Sequence, residues 1–122
     1  MSAKHLIACI ALLAGAAVSP LALAHAHLRD PVPAMDANVV APPALVLTFS
    51  EAIEAAFSSV TLLDDQGRSV ALPAVQVTRE APNTLRVAPL PALSSGTYTV
   101  QWKVLSVDTH KSAGSYCFKV GQ

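Results

Sequence analysis

Three of the four histidines and one aspartate have the types and spacing needed to bind a metal ion. His25 and His27 are separated by one alanine near the start of the chain, and Asp108 and His110 are separated by one threonine near its end. In an extended chain, side chains two residues apart point the same way, so Asp108 and His110 can converge on one ion. Imidazole nitrogens with a carboxylate oxygen suit Cu(II), which stands at the top of the divalent affinity order.

The first 24 residues have the features of a secretory signal peptide. Lys4 precedes an apolar core over residues 6–18, and Ala22-Leu23-Ala24 forms a small-x-small cleavage site. The core is shorter than the roughly 20 residues that span a bilayer, so we expect an exported domain of residues 25–122 that does not insert into the membrane. Cleavage after Ala26 fits the same rule and would make His27 the terminal residue.

Cleavage after Ala24 would turn His25 into a two-nitrogen ligand, through its terminal amine and its imidazole. Together with Asp108 and His110 it would complete a four-ligand set for one Cu(II) ion. A second chelate is open to the same terminus, because a histidine at position three, here His27, can bind with the amine and two deprotonated backbone amides. That chelate must detach the terminus from the domain, so the sequence favours the bridged set of His25, Asp108 and His110 without excluding the other.

The composition of the expected mature chain excludes some classes of function. It carries seven Lys and Arg against eight Asp and Glu, a formal net charge of −1, which gives nucleic-acid binding no electrostatic support. Cys9 leaves with the signal, and we expect Cys117 to behave as a small buried side chain, off the core face that Tyr116 and Phe118 define. The length of the expected mature chain predicts one domain, and we expect this domain to be a monomer.

Short alternating runs separated by turn residues predict an all-β fold, a small antiparallel sandwich of about seven or eight strands. Residues 51–57 could form one helical turn or a loop. The expected strands are an extended segment near Leu28 and residues 45–50, 59–63, 70–72, 75–78, 84–87, 97–104 and 116–120.

In combination these features resemble the CopC family of periplasmic copper-binding proteins, in particular its YobA-like branch. The motifs are the start His25-Ala26-His27-Leu28, residues 47–58 and 96–102, the loop over residues 106–111 and the final run over residues 114–120. The resemblance implies an immunoglobulin-like Greek-key β-sandwich or barrel and cleavage before His25. It also implies one Cu(II) held by His25, Asp108 and His110, a periplasmic location, and an inner-membrane copper-transport protein as partner.

Two details qualify what the resemblance implies. Some family members bind Cu(I) in a methionine-rich loop, but Met35 is the only methionine after the signal, so we expect no tight Cu(I) site. Glu51 and Glu54 lie in a stretch shared with the family. Either could support the metal site, although the sequence favours solvated loop carboxylates.

Two alternatives belong to other functional classes. An N-terminal histidine with a second histidine on a β-sandwich is also the core of copper-dependent polysaccharide monooxygenases, so an oxidative copper enzyme is one alternative. A non-metal immunoglobulin-like interaction module is the other. The sequence favours a non-enzymatic Cu(II)-binding protein for buffering or delivery, and does not fix the direction of copper traffic.

Overall fold

The computed structural model describes residues 26–121, which form two β-sheets around one apolar core. The expected signal peptide (residues 1–24) and His25 lie outside the described residues. Eight strands occur within residues 26–121: β1 Leu28–Val32, β2 Asn38–Val39, β3 Leu45–Phe49, β4 Ser59–Leu63, β5 Ser69–Val70, β6 Thr84–Val87, β7 Gly96–Leu105 and β8 Lys111–Val120.

The two sheets differ in size and in strand direction. The smaller has the order β1-β3-β6 with antiparallel neighbours, and the larger has the order β2-β8-β7-β4-β5. All pairs of the larger sheet are antiparallel except β2 with β8, which run parallel. The all-β sandwich predicted from the sequence is confirmed.

Strand β7 shows how the alternating pattern builds the core. Tyr98, Val100, Trp102 and Val104 are at most 8% exposed, whereas Gln101 and Lys103 between them face solvent. Each fully buried apolar side chain of this size contributes about 1.5–3 kcal/mol. The rings of Trp102 and Phe49 meet edge to face across the two sheets, with centroids 5.2 Å apart.

Gly114 lets the Trp102 ring lie flat against strand β8. The two residues are direct cross-strand partners, and a Cβ atom at position 114 would lie 2.5 Å from Trp102 Cζ2. No real Cβ contact is that short, so only glycine fits beside the indole. This packing fixes the part of the hairpin next to the turn that carries Asp108 and His110.

The prediction of a strand over residues 75–78 is wrong. Only Gln76 pairs there, through an isolated bridge to Arg86. The alternation that suggested a strand comes from Val75 and Val77, which pack against the core without a continuous backbone partner. Residues 51–57 contain a short 3-10 turn, Ala55–Phe57, and strand β2 was not predicted from the sequence.

Cys117 lies on the face of β8 opposite Tyr116 and Phe118, as predicted. It is 2% exposed and its Sγ atom is 3.4 Å from the hydroxyl of Thr99, its cross-strand partner. Over residues 26–121 no helix has the length and apolar character needed to cross a membrane.

Candidate metal centre

A tight turn between β7 and β8 carries the two described residues of the predicted metal site. Thr109 N donates to Ser106 O at 2.9 Å, and Ser106 N donates to His110 O at 3.0 Å. Thr109 has a φ of 72°, in the left-handed region. These features are typical of a three-residue hairpin connection, which holds residues 107–109 in a fixed conformation.

The structure brings Asp108 and His110 into contact on this turn. His110 Nδ1 lies 3.3 Å from Asp108 Oδ2, and the two side chains are 51% and 48% exposed. A carboxylate on Nδ1 orients an imidazole and leaves Nε2 as the nitrogen that points away from the carboxylate. The pair thus presents an oriented imidazole and an adjacent carboxylate on an accessible surface.

Ser106 holds the Asp108 carboxylate from below the turn. Ser106 is completely buried, and its hydroxyl donates to Asp108 Oδ1 and lies 3.2 Å from the His110 carbonyl oxygen. This hydrogen bond is the main reason that the pKa of Asp108 is lowered to about 2. Burial, the second-largest effect, opposes this decrease, whereas the backbone N–H of His110, the neighbouring Glu51 and the charge of His110 lower the pKa of Asp108 further. Asp108 is therefore ionised and ready to bind a cation well below neutral pH.

Two hydrogen-bonding serines fix the start of the described chain beside the same turn. We call residues 26 and 27 the N-terminal arm. Ser112 Oγ donates to Ala26 O at 3.0 Å, and Ala26 is only 2% exposed. His27 N donates to Ser50 Oγ at 2.8 Å, and Ser50 N donates to His27 O at 2.8 Å. Both anchors hold the arm against the sandwich.

The N-terminal arm lies next to the strand that leaves the turn. Ser112 follows His110 by two residues, so the carbonyl of Ala26 is bonded to the strand that leaves the turn. No group of three or more His, Cys, Asp or Glu side chains that could hold a metal ion occurs within residues 26–121, so a complete site at this turn requires a further donor.

The same contacts bear on the chelate at position three. That chelate uses the backbone nitrogens of Ala26 and His27 as metal ligands, but the His27 amide already donates to Ser50. Forming it would break this hydrogen bond and pull Ala26 out of the core. Both features of residues 26 and 27 therefore oppose the chelate at position three.

Four residues of this centre were missed or undervalued by the sequence analysis. Ser50 and Ser112 anchor the arm and Ser106 holds Asp108, yet isolated serines carry no sequence signal. Glu51 was interpreted as a solvated carboxylate, but it is half-buried and lies close enough to Asp108 to contribute to the lowered pKa of that carboxyl. That contact joins two loops 57 positions apart, so only the fold brings it together. Glu54 is exposed, as the sequence favoured.

Comparisons with known proteins agree on one family. A family model described as the CopC domain matches residues 28–121. Protein YobA of Escherichia coli K12 is 37% identical over 120 residues, which cover 98% of this chain and 97% of that protein. Copper resistance protein C of Escherichia coli is 36% identical over 105 residues, which cover 81% of this chain and 83% of that protein. The crystal structure of CopC from Methylosinus trichosporium OB3b superposes with a TM-score of 0.74 at 34% identity, covering 79% of this chain and 93% of that one.

Proposed function

The chain belongs to the CopC family, and on that premise we propose that its processed form is a periplasmic Cu(II)-binding protein that serves copper homeostasis or resistance. The proposed ligands for one Cu(II) ion are the amine and imidazole of His25, the carboxylate of Asp108 and the imidazole of His110. The observation that supports this most is the arm: Ser112 bonds Ala26 beside the turn on which Asp108 and His110 are already in contact.

The donor set fits Cu(II) better than other ions. Three nitrogens and one carboxylate oxygen match the tetragonal N/O environment that Cu(II) prefers, and they lack the soft sulfur ligands that favour Cu(I). Met35 is the only methionine after the expected signal, and it lies on the loop that follows β1. A relative named copper resistance protein C supports a role in handling the same metal.

The proposed role is binding rather than catalysis. A copper enzyme that acts on polysaccharides needs exposed aromatic side chains to hold its substrate. Of the six aromatic residues, five are buried in the core and only Phe57 is exposed, at 72%. We propose that the bound ion is buffered or passed to an inner-membrane copper-transport protein by a monomeric carrier.

The direct test is a Cu(II) titration of the processed protein that begins at His25, against a competing chelator. We expect one equivalent to bind. Acetylating the His25 amine, or adding one residue before it, should weaken Cu(II) binding by about 10-fold or more, because either change removes the amine as a ligand of the ion. His27→Ala is the matched control and should change the affinity far less.

Three results would contradict the proposal in different ways. If His27→Ala is more damaging than blocking the amine, the chelate at position three is the real site. If the processed protein binds no Cu(II), the metal-free interaction module is the better interpretation. A tight stoichiometric Cu(I) site would contradict the expected selectivity for the oxidised ion.

A further inference from the structure

All lysines after the expected signal peptide lie on one face of the molecule. Lys103 is on β7, and Lys111 and Lys119 are on β8. Trp102 and Val104 beside Lys103, and Phe118 beside Lys119, point into the core, so the lysines face outward by alternation. Within residues 26–121 none of the three lysines forms an ion pair. The outer face of the β7–β8 hairpin therefore presents three lysines without an ion-pair partner among these residues.

A surface cavity of about 530 Å³ lies between two of these lysines. Lys103 and Lys111 are diagonal neighbours in the β7–β8 ladder, which places their Cβ atoms about 7–8 Å apart. The apolar side chains that line the cavity come from Leu105, Ala113 and Phe57. We call Phe57, Lys103, Leu105, Lys111 and Ala113 together the lysine-flanked cavity.

Phe57 is exposed but is held in place. It is 72% exposed at the end of the 3-10 turn Ala55–Phe57. The next residue, Ser58, donates its hydroxyl to Glu54 O at 2.8 Å and accepts from Leu105 N at 3.1 Å, which fastens the turn to β7. An exposed aromatic side chain on a fixed backbone loses little entropy on binding, so it can anchor a partner.

The lysine-flanked cavity adjoins the candidate metal centre. Leu105 directly precedes Ser106, and Lys111 directly follows His110. Ser112, which bonds Ala26 of the N-terminal arm, also lines the cavity. A partner seated there would be next to the turn that carries Asp108 and His110.

We infer that the lysine-flanked cavity docks an acidic segment of a partner protein, with one apolar side chain of that segment against Phe57 and carboxylates against Lys103 and Lys111. The charge pattern commits the site to an acidic occupant, since two unpaired cations flank an apolar cavity. The inference builds on the proposed function, because a docked copper acceptor or donor would lie beside the turn that carries Asp108 and His110. Docking itself requires no metal.

The test uses a short capped peptide with one leucine between glutamates as the probe, added to metal-free, isotope-labelled processed protein. We expect saturable amide shifts at Phe57 and around Lys103 and Lys111, which weaken as salt is added. Lys103→Glu should reduce the affinity about five- to tenfold, because a favourable charge pair becomes a repulsive one. Phe57→Ser should reduce it about tenfold.

Lys119→Glu is the matched control. Lys119 lies on the same face of β8, eight residues from Lys111, or roughly 27 Å along the strand, so this variant should bind the peptide like the unchanged protein. A peptide with lysines in place of the glutamates should not bind. Equal binding of the two peptides, or no loss in Lys103→Glu, would overturn the inference.

A lipid surface is the competing explanation for an exposed phenylalanine between lysines. If the protein binds phosphatidylglycerol vesicles through Phe57 and does not bind the acidic peptide, the inference is wrong and the face is a lipid contact. A separate Cu(II) titration of Lys103→Glu and Phe57→Ser keeps the two proposals apart. If the unchanged processed protein binds no Cu(II), the proposed function is refuted, but the result of the peptide titration still decides the docking inference.

Discussion

Removing the two serines that anchor the N-terminal arm should weaken Cu(II) binding without removing any ligand. Ser50→Ala deletes the acceptor for His27 N, and Ser112→Ala deletes the donor to Ala26 O. In the bridged site, His25 reaches the metal only while the arm is docked. The apparent affinity therefore scales with the fraction of molecules in which the arm is docked.

The size of the effect follows from the contacts of the arm. Its three hydrogen bonds contribute about 1 kcal/mol each, and the buried methyl group of Ala26 adds about 0.8 kcal/mol. Ordering two backbone residues costs about 2–4 kcal/mol. Docking is then favoured by about 0–2 kcal/mol. At the middle of that range, losing the hydrogen bond of one serine side chain weakens Cu(II) binding about twofold, and losing those of Ser50 and Ser112 together weakens it about fivefold.

The assay is a chelator competition monitored by quenching of Trp102, the only tryptophan of the chain. Ser115→Ala is a matched control, because Ser115 lies on the same strand without contacting the arm, and it should not alter the affinity. The chelate at position three predicts the opposite sign, since loosening the arm frees the amides it needs. An affinity that rises in the double variant would refute the reasoning.

Four further predictions concern the turn and the hairpin that carries it. Between pH 7 and pH 5 the Cu(II) affinity should fall, because protons compete with the ion for its nitrogen ligands. Asp108→Asn should weaken Cu(II) binding but keep this dependence on pH, because the pKa of Asp108 is about 2. In the metal-free domain, the stability that the ionised Asp108 contributes should be present above about pH 4 and lost as the pH falls towards 2. Acid unfolding of the unchanged domain and of Asp108→Asn, compared over this range, measures that contribution. Glu51→Ala should weaken Cu(II) binding, because it removes a side chain that lies beside Asp108, whereas Glu54→Ala, exposed on the neighbouring turn, should not. Gly114→Ala should destabilise the domain by about 1–3 kcal/mol, because the added Cβ would overlap the Trp102 ring. Thermal unfolding measures this as a melting temperature that is lower by about 4–8 °C for each kcal/mol.

The sequence predicted most of the strands because their burial pattern is local. Tyr98, Val100, Trp102 and Val104 alternate with exposed residues, and that period alone identifies β7 and its inward face. The failure at residues 75–78 has the same origin. Val75 and Val77 alternate as in a strand, but a strand also needs a neighbour with free backbone groups, and only Arg86 supplies one. Pairing is a property of the fold and not of the segment.

The candidate site was predictable only where its residues are close in sequence. Asp108 and His110 share one turn, so their spacing was enough to predict that they converge. Ser50, Glu51 and Ser112 reach the centre from distant parts of the chain, through contacts that require both sheets and the turn to be in place. Buried Ser106 illustrates a third case, since it lies in the same loop but its role depends on the direction of its hydroxyl.

Electron paramagnetic resonance of the Cu(II)-loaded processed protein tests the central claim most directly, because it reports which nitrogens bind the ion. The bridged site predicts three nitrogen ligands and one oxygen: the His25 amine, the His25 and His110 imidazoles, and the Asp108 carboxylate. His110→Ala should remove one nitrogen from the spectrum. A spectrum with four nitrogens that include backbone amides, unchanged in His110→Ala, would contradict the account.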